Sequence, residues 1–119
     1  MTDKVAVISL TDPSADHARM LHAFEYVLDL TNNGINAELF LDGSSVKIID
    51  FLDKNPKDLI KHLYDKVIQE GYLKEACHFC ANAFSVKEQI TNSNITLSPE
   101  NKHISIGRLA KEGYQIIIV

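Results

Sequence analysis

The segment from Lys4 to Leu10 constrains the fold of this chain more than any other feature of the sequence. Residues 5 to 8 are all apolar, and only Ser9 separates them from Leu10. A short apolar run of this kind is typical of a strand that helices cover on both faces, as in a parallel sheet. We therefore expect this segment to be the central strand of an α/β protein.

Three further strand patterns follow, and helical patterns lie between them. The strands are predicted at residues 35–41, 71–76 and 115–119, with a shorter one at residues 95–97. Strands that alternate with helices predict an α/β fold with a mostly parallel sheet of four or five strands. No internal repeat or low-complexity segment interrupts the pattern, so we expect one domain that covers residues 1–119.

Capping residues and apolar periodicity predict where the helices begin and end. Asp12-Pro13 and Asn55-Pro56 each resemble an N-cap followed by proline at the first helical position. Gly71 resembles the residue that ends the second of these helices. Residues 46–52 fit either a short helix or a strand. The predicted helices cover residues 13–31, 56–70, 81–90 and 105–111.

Composition and motifs exclude several classes of function. The 119 residues carry a formal net charge of -4, and no basic cluster with interleaved aromatic residues points to nucleic acid. No segment approaches the roughly 18 apolar residues that a membrane span requires. The first residues lack the features of a signal peptide, which predicts a cytoplasmic protein. Dinucleotide, P-loop and hydrolase motifs are absent from the sequence, so no cofactor is expected.

Cys77 and Cys80 are the only cysteines in the sequence, and they lie where the strand at residues 71–76 gives way to a helix. Ligands of open α/β sheets bind at the carboxyl ends of the strands. The N–H groups at a helix N-terminus favour an anion such as a thiolate. We therefore expect Cys77 to be a nucleophilic thiol, with Cys80 as its partner.

Three other interpretations of the two cysteines stay open on the sequence alone. One is simple packing, since free cysteine is often buried. Another is a thioredoxin-like dithiol, although His78-Phe79 lacks the Pro or Gly of that family. A zinc site would need two further ligands, and only one closely spaced ligand pair is present, so no metal ligand is predicted. The histidines available for such a site are His17, His22, His62, His78 and His103.

Polar residues after the second predicted strand are expected to lie beside Cys77. Asp42, Gly43 and Ser44 follow residues 35–41 directly, and the carboxyl ends of parallel strands share one edge of the sheet. His78 is adjacent to Cys77 and can carry or transfer a proton. We predict that these four residues bind the substrate.

Together these features resemble the DsrE/DsrF-like sulfur-relay family. The resemblance extends over nearly the whole chain and includes the first strand, Asp42-Gly43, the helix that ends at Gly71, the Cys77-His78-Phe79-Cys80 motif and the closing helix and strand. It implies a three-layer α/β/α sandwich and a persulfide carried on Cys77, with Cys80 as the second cysteine. It also implies a homo-oligomer, a trimer or hexamer, that exchanges sulfur with donor and acceptor proteins.

The sequence departs from that family at one pair of residues. Phe84-Ser85 stands where the family often has Arg-Gly, and the change removes a cation from the neighbourhood of the thiol. This departure supports an alternative, a non-catalytic binding or scaffold subunit with the same fold.

Overall fold

The computed structural model describes residues 4–100 and 102–119, and its centre is a parallel sheet. The four strands are β1 (Lys4–Ser9), β2 (Asn36–Leu41), β3 (Leu73–Ala76) and β4 (Tyr114–Ile118). They are ordered β3-β2-β1-β4, and every neighbouring pair is parallel. Because β1 has a neighbour on each side, the prediction of a central first strand is confirmed.

Helices cover the sheet and complete the α/β fold that the sequence predicts. The α-helices are α1 (His17–Asn32), α2 (Ile48–Lys54), α3 (Leu59–Gln69), α4 (His78–Ala83), α5 (Lys87–Asn92) and α6 (Ile106–Lys111), and a 3-10 helix covers Gly43–Lys47. Helix α1 packs against α3, β1 and β2, whereas α4 contacts α5 and the 3-10 helix. The chain is a three-layer α/β/α sandwich.

The core lies where the sheet meets the helices. The apolar residues of β1 and the last three residues of β2 are buried. Helix α1 turns one face towards them, formed by Met20, Ala23, Phe24 and Val27, which have the spacing of an amphipathic helix. Complete burial of a large apolar side chain such as Phe24 contributes about 1.5–3 kcal/mol. The apolar periodicity therefore determines which face of α1 packs on the sheet.

Helix α1 begins at His17, so its predicted start at residue 13 is wrong. The Asp12 carboxylate accepts a hydrogen bond from the N–H of Ser14 at 2.8 Å, and this local turn places Pro13 outside the helix. The N-cap is Asp16, whose side chain accepts from the N–H of Arg19. Both aspartates have the chemistry of a cap, and the turn decides which of them is used.

Helix α3 also begins later than predicted. Its N-cap is Asp58, whose carboxylate accepts a hydrogen bond from the N–H of Ile60 at 2.9 Å. Asn55 instead ends α2, and its side-chain amide donates to the carbonyl of Phe51 at 2.9 Å. The prediction that Asn55-Pro56 starts this helix is therefore wrong. Residues 46–52, which the sequence left open, are helical.

The helix predicted at residues 81–90 is in fact two helices. Helix α4 begins at His78 and ends at Ala83, and α5 begins at Lys87. Between them Ser85 has a φ of +57°, a left-handed conformation that ends a helix. Cys80 therefore lies inside α4.

The last strand lies at the edge of the sheet and is partly exposed. β4 pairs only with β1 among the described strands, and Ile118 is 60% exposed. The strand predicted at residues 95–97 is a single parallel bridge between Leu97 and Ala76. The sheet thus has four strands and one bridging residue at its β3 side.

None of the helices in the described part of the chain is long and apolar enough to cross a lipid bilayer. Residues 1–3, which contributed to the expectation of a cytoplasmic protein, lie outside the described residues.

Candidate functional site

The carboxyl ends of β2 and β3 bring Asp42 and Cys77 together. Each residue directly follows its strand. The N–H of Cys77 donates to the carbonyl of Leu41 at 2.8 Å, so the pairing of the two strands continues to this edge of the sheet. This is the edge at which ligands of parallel sheets usually bind.

Cys77 is the N-cap of α4, and its sulfur replaces the oxygen that usually accepts at this position. The N–H of Cys80 points to the Cys77 sulfur with a nitrogen-to-sulfur distance of 3.3 Å. Both cysteines are free thiols, Cys77 with none of its surface exposed and Cys80 with 6%. The first turn of α4 therefore fixes the two thiols next to each other.

His103 brings an imidazole to the two sulfurs. Its Nδ1 lies 3.3 Å from the Cys77 sulfur and 3.7 Å from the Cys80 sulfur. The ring packs against Phe79 with 4.7 Å between ring centroids, and 58% of the side chain is exposed. A half-exposed imidazole is thus in contact with two buried thiols.

Asp42 completes a group of four side chains that we name the dithiol cluster: Asp42, Cys77, Cys80 and His103. One Asp42 carboxylate oxygen lies 3.8 Å from the Cys80 sulfur and 3.8 Å from Nδ1 of His103. The same oxygen accepts the N–H of Gly43 at 2.9 Å. The four ligand-type atoms of the cluster all lie within 4.8 Å of one another.

Burial raises the pKa of the Cys77 thiol to about 12, contrary to the expectation of an activated thiolate. Loss of hydration is the largest cause, and the N–H of Cys80 opposes it only in part. The Cys80 side chain and the charge of Asp42 raise the pKa further. One backbone N–H does not offset the desolvation of a fully buried sulfur. In the resting site Cys77 is therefore a protonated thiol at neutral pH.

The other predicted site residues have supporting or separate positions. Gly43 contributes its N–H to Asp42, whereas Ser44 is half-buried and forms no hydrogen bond with the cluster in the described part of the chain. The buried hydroxyl of Ser45 holds this loop, donating to the carbonyls of Ser9 and Asp42 at 2.7 Å.

His78 does not join the dithiol cluster. Its backbone N–H donates to the Ser98 hydroxyl at 2.8 Å, and its Nδ1 lies 3.0 Å from the Ser98 carbonyl. Its Nε2 is buried and has no hydrogen-bond partner among the described residues. The side chain is therefore directed towards Ser98, and its predicted role in binding substrate stays a prediction.

The sequence did not single out His103 among the five histidines. It lies 26 residues after Cys77, so no local spacing connects the two. One feature of the sequence could have indicated His103. It follows the short strand expected at residues 95–97, and a loop that follows a parallel strand starts at the carboxyl edge of the sheet. Of the other histidines, His17 instead contacts the Asp58 carboxylate at 2.8 Å.

Comparison with known proteins finds a similar fold and indicates no activity. No family model matches the chain, and no curated protein matches it. The solved structure of a conserved protein of unknown function from Bacteroides thetaiotaomicron is similar, with a TM-score of 0.66 and 25% sequence identity. The alignment covers 98% of this chain and 95% of that chain. The similarity therefore concerns the arrangement of strands and helices over nearly the whole of both proteins.

Proposed function

We propose that this protein carries sulfane sulfur as a persulfide on Cys77 and transfers it to a partner protein. The observation that carries the proposal is the 3.3 Å contact between the Cys77 sulfur and Nδ1 of His103. A cysteine within hydrogen-bonding reach of an imidazole is an arrangement by which proteins activate a thiol. A sulfur carrier needs little more, because it makes and breaks one S–S bond by exchange.

In the loading step, Cys77 attacks the outer sulfur of a donor persulfide, R–S–SH. The bond between the two donor sulfurs breaks, a bond forms between the Cys77 sulfur and the transferred sulfur, and the donor leaves as the thiolate R–S⁻. The transferred sulfur keeps its proton, and the proton of the Cys77 thiol passes to Nδ1 of His103. The sulfane sulfur moves unchanged, so no external oxidant or reductant is required.

His103 is needed as a base because burial raises the pKa of Cys77 to about 12. A neutral imidazole that takes the thiol proton as the S–S bond forms avoids a free buried thiolate. The Asp42 carboxylate, 3.8 Å from Nδ1, favours the positive charge that then develops on the ring. Because the ring is half-exposed, it can afterwards release the proton to water.

Unloading reverses this chemistry on a partner thiol. A thiolate of the acceptor attacks the outer sulfur, and Cys77 leaves with its bonding electron pair and recovers a proton from water, which the half-exposed His103 can relay. Cys80 offers a second route, in which its thiolate attacks the Cys77 sulfur, forms the Cys77–Cys80 disulfide and releases HS⁻. A dithiol reductant must then reduce that disulfide before the next cycle.

The resemblance to the DsrE/DsrF-like sulfur-relay family agrees with this proposal. Ser85 occupies the position of the family's glycine and has a φ of +57°, a conformation that favours glycine. Phe84 occupies the position of the family's arginine, and the ammonium of Lys47 lies 4.8 Å from the centre of its ring. We propose that His103, once it has taken the Cys77 proton, supplies the positive charge that arginine gives in the family.

The test is the intact mass of the reduced, metal-free chain after incubation with a persulfide donor. Wild type should gain one sulfur, about 32 Da, and Cys77→Ser should gain none. Cys80→Ser should keep the adduct longer, since the internal thiol that displaces HS⁻ is missing. His103→Gln should load more slowly at pH 7, whereas His62→Gln, which removes an exposed imidazole outside the cluster, should load as wild type does.

Two results would overturn the assignment. An adduct that survives Cys77→Ser and disappears with Cys80→Ser would make Cys80 the carrier. No adduct in wild type or any variant would remove sulfur transfer and leave the scaffold and thiol–disulfide redox alternatives.

A thiol–disulfide redox function is the second candidate, and the proximity of the two sulfurs favours it. The sulfurs of Cys77 and Cys80 lie within 4.8 Å of each other, and a disulfide needs them to approach to about 2.05 Å. A redox protein would cycle between dithiol and disulfide and would take up no sulfur. The same mass spectra separate the two functions.

A further inference from the structure

We infer that Asp42, Cys77, Cys80 and His103 form a binding site for one zinc ion. Each residue offers one ligand atom, and these atoms come from three separate parts of the chain: the end of β2, the junction of β3 with α4, and the segment before α6. This inference goes beyond sulfur transfer and does not rest on it.

Four of the six distances between the ligand atoms fit a tetrahedral zinc ion, and the other two, both from the Cys77 sulfur, are within 4.8 Å. Zinc lies about 2.3 Å from sulfur and about 2.0–2.2 Å from nitrogen or oxygen, so tetrahedral ligand atoms are roughly 3.3–3.8 Å apart. Nδ1 of His103 lies 3.3 and 3.7 Å from the two sulfurs and 3.8 Å from the Asp42 oxygen. The Cys80 sulfur lies 3.8 Å from the same oxygen.

The chemistry of the ligands selects zinc over the hard cations. Two thiols and an imidazole are ligands of zinc and of other soft or borderline metals, whereas Mg²⁺ and Ca²⁺ prefer oxygen ligands. Zinc would bind both sulfurs as thiolates, so binding of the ion releases thiol protons. Two thiolates and one carboxylate carry three negative charges, and the imidazole is neutral. The two positive charges of Zn²⁺ therefore leave the site with one net negative charge. Four protein ligands make a closed, structural type of site.

Contacts around the ligands hold them in place. The N–H of Gly43 orients the Asp42 carboxylate, and the N–H of Cys80 orients the Cys77 sulfur. Phe79 packs against the His103 ring at 4.7 Å. Such outer contacts orient metal ligands and usually strengthen the site. The half-exposed His103 side chain marks the side from which an ion would enter.

Zinc and sulfane sulfur would compete for Cys77 at this site. A Cys77 sulfur that shares an electron pair with zinc and is enclosed by three other ligands is less nucleophilic and less accessible than a free thiolate, so the metal would slow its reaction with a persulfide until it is removed. Zinc occupancy would thereby control when the dithiol cluster reacts.

The experiment is a zinc titration of the reduced, chelator-treated full chain in competition with a chromophoric zinc chelator. We expect one ion per chain. Cys77→Ser and Cys80→Ser should each weaken binding by more than about 100-fold, and Asp42→Asn and His103→Gln by about tenfold or more. His62→Gln should bind as wild type does. Circular dichroism of each variant checks that it has folded.

Cobalt provides a measurement that needs no variant. Co²⁺ added to the wild-type chain should give a thiolate-to-metal charge-transfer band and the strong visible bands of a tetrahedral site. No binding, binding that both cysteine variants leave unchanged, or a cobalt spectrum without the thiolate band would each overturn the inference.

The sulfur-loading assay on the same preparations keeps the two proposals separate. A chain that binds zinc at the cluster and takes up no sulfur contradicts sulfur transfer alone. A chain that loads sulfur and binds no zinc contradicts the zinc site alone.

Discussion

The sulfur of Cys77 lies 3.3 Å from Nδ1 of His103, a residue 26 positions further along the chain. The two side chains meet because the segment after α5 pairs with the end of β3. Ala76 forms a parallel bridge with Leu97, and the N–H of Ser98 donates to the Ala76 carbonyl at 2.9 Å. This short bridge carries the chain along the sheet edge and so positions the imidazole over the thiols.

Replacing Ser98 with alanine should loosen this arrangement. Ser98 is 2% exposed, and its hydroxyl accepts from the N–H of His78 at 2.8 Å and donates to the Lys102 carbonyl at 2.9 Å. Losing it removes the acceptor of the partly buried His78 N–H and the hydrogen bond to Lys102, which should lower the free energy of unfolding, measured with urea, by about 1 kcal/mol. Because Lys102 precedes His103, zinc affinity should fall by about 10–100-fold.

Ser44→Ala is the matched control, since that half-buried serine is outside the cluster. It should change stability by less than about 0.5 kcal/mol. Equal effects of the two substitutions would show that the Ser98 hydrogen bonds do not hold the site.

The sequence predicted the elements that depend on local patterns. The apolar run in β1 and the periodicity of α1 are properties of neighbouring residues, and both elements are present. The positions of Asp42 and Cys77 after their strands follow from the same patterns, because parallel strands share a carboxyl edge.

Features that depend on tertiary contacts could not be predicted in this way. Asp12 and Asp16 compete for the same cap, and only the turn at Asp12 decides between them. The break at Ser85 depends on a left-handed backbone that serine rarely adopts. His103 reaches the site through the bridge at Leu97, and the raised pKa of Cys77 comes from complete burial.

Alkylation of Cys77 should have an unusual pH dependence. Burial raises the pKa of this thiol to about 12, so its reactive thiolate fraction stays low at neutral pH and grows as the pH rises. In metal-free Cys80→Ser, the rate at pH 8 should be at least roughly tenfold below that of a free thiol and should still increase above pH 10. When the same variant is unfolded in urea, its alkylation rate should level off just above the ordinary cysteine pKa, about 8.5.

A folded-state rate that levels off below pH 8 would contradict this expectation. It would mean that His103 or a neighbouring N–H stabilises the thiolate more than burial opposes it.

Gly43→Ala should disturb the Asp42 end of the cluster. Gly43 has a φ of +52°, and an added Cβ would lie 3.3 Å from Cδ2 of Leu10. The left-handed backbone alone should cost about 1–2 kcal/mol, and zinc affinity should fall because the Gly43 N–H orients the carboxylate. Gly107→Ala is the control, since it lies in α6 with no atom within 4 Å of the added Cβ. It should be neutral or stabilise the protein by up to about 1 kcal/mol.

Self-association stays a prediction, and the structure suggests which face to test. Leu10, Tyr26 and Ile118 line one groove beside the edge strand β4 and are 48%, 44% and 60% exposed. Thr11, Asp16 and Arg19 line the same groove. An edge strand with exposed apolar side chains beside it is commonly covered by another chain, and we expect a second copy of this one. Sedimentation should show a species larger than 13.3 kDa. Ile118→Lys should dissociate this species, whereas Leu59→Lys, a change at another exposed apolar residue, should leave it intact. A 13.3 kDa species alone at micromolar concentration would contradict self-association.

The most direct test of the sulfur-carrier proposal is the mass of the wild-type chain after exposure to a persulfide donor, measured metal-free and with one equivalent of zinc. The metal-free chain should gain about 32 Da, located on Cys77 by peptide mapping. The zinc-bound chain should gain sulfur much more slowly until a chelator is added. A metal-free chain that gains no sulfur, or gains it on a residue other than Cys77, would contradict the proposal.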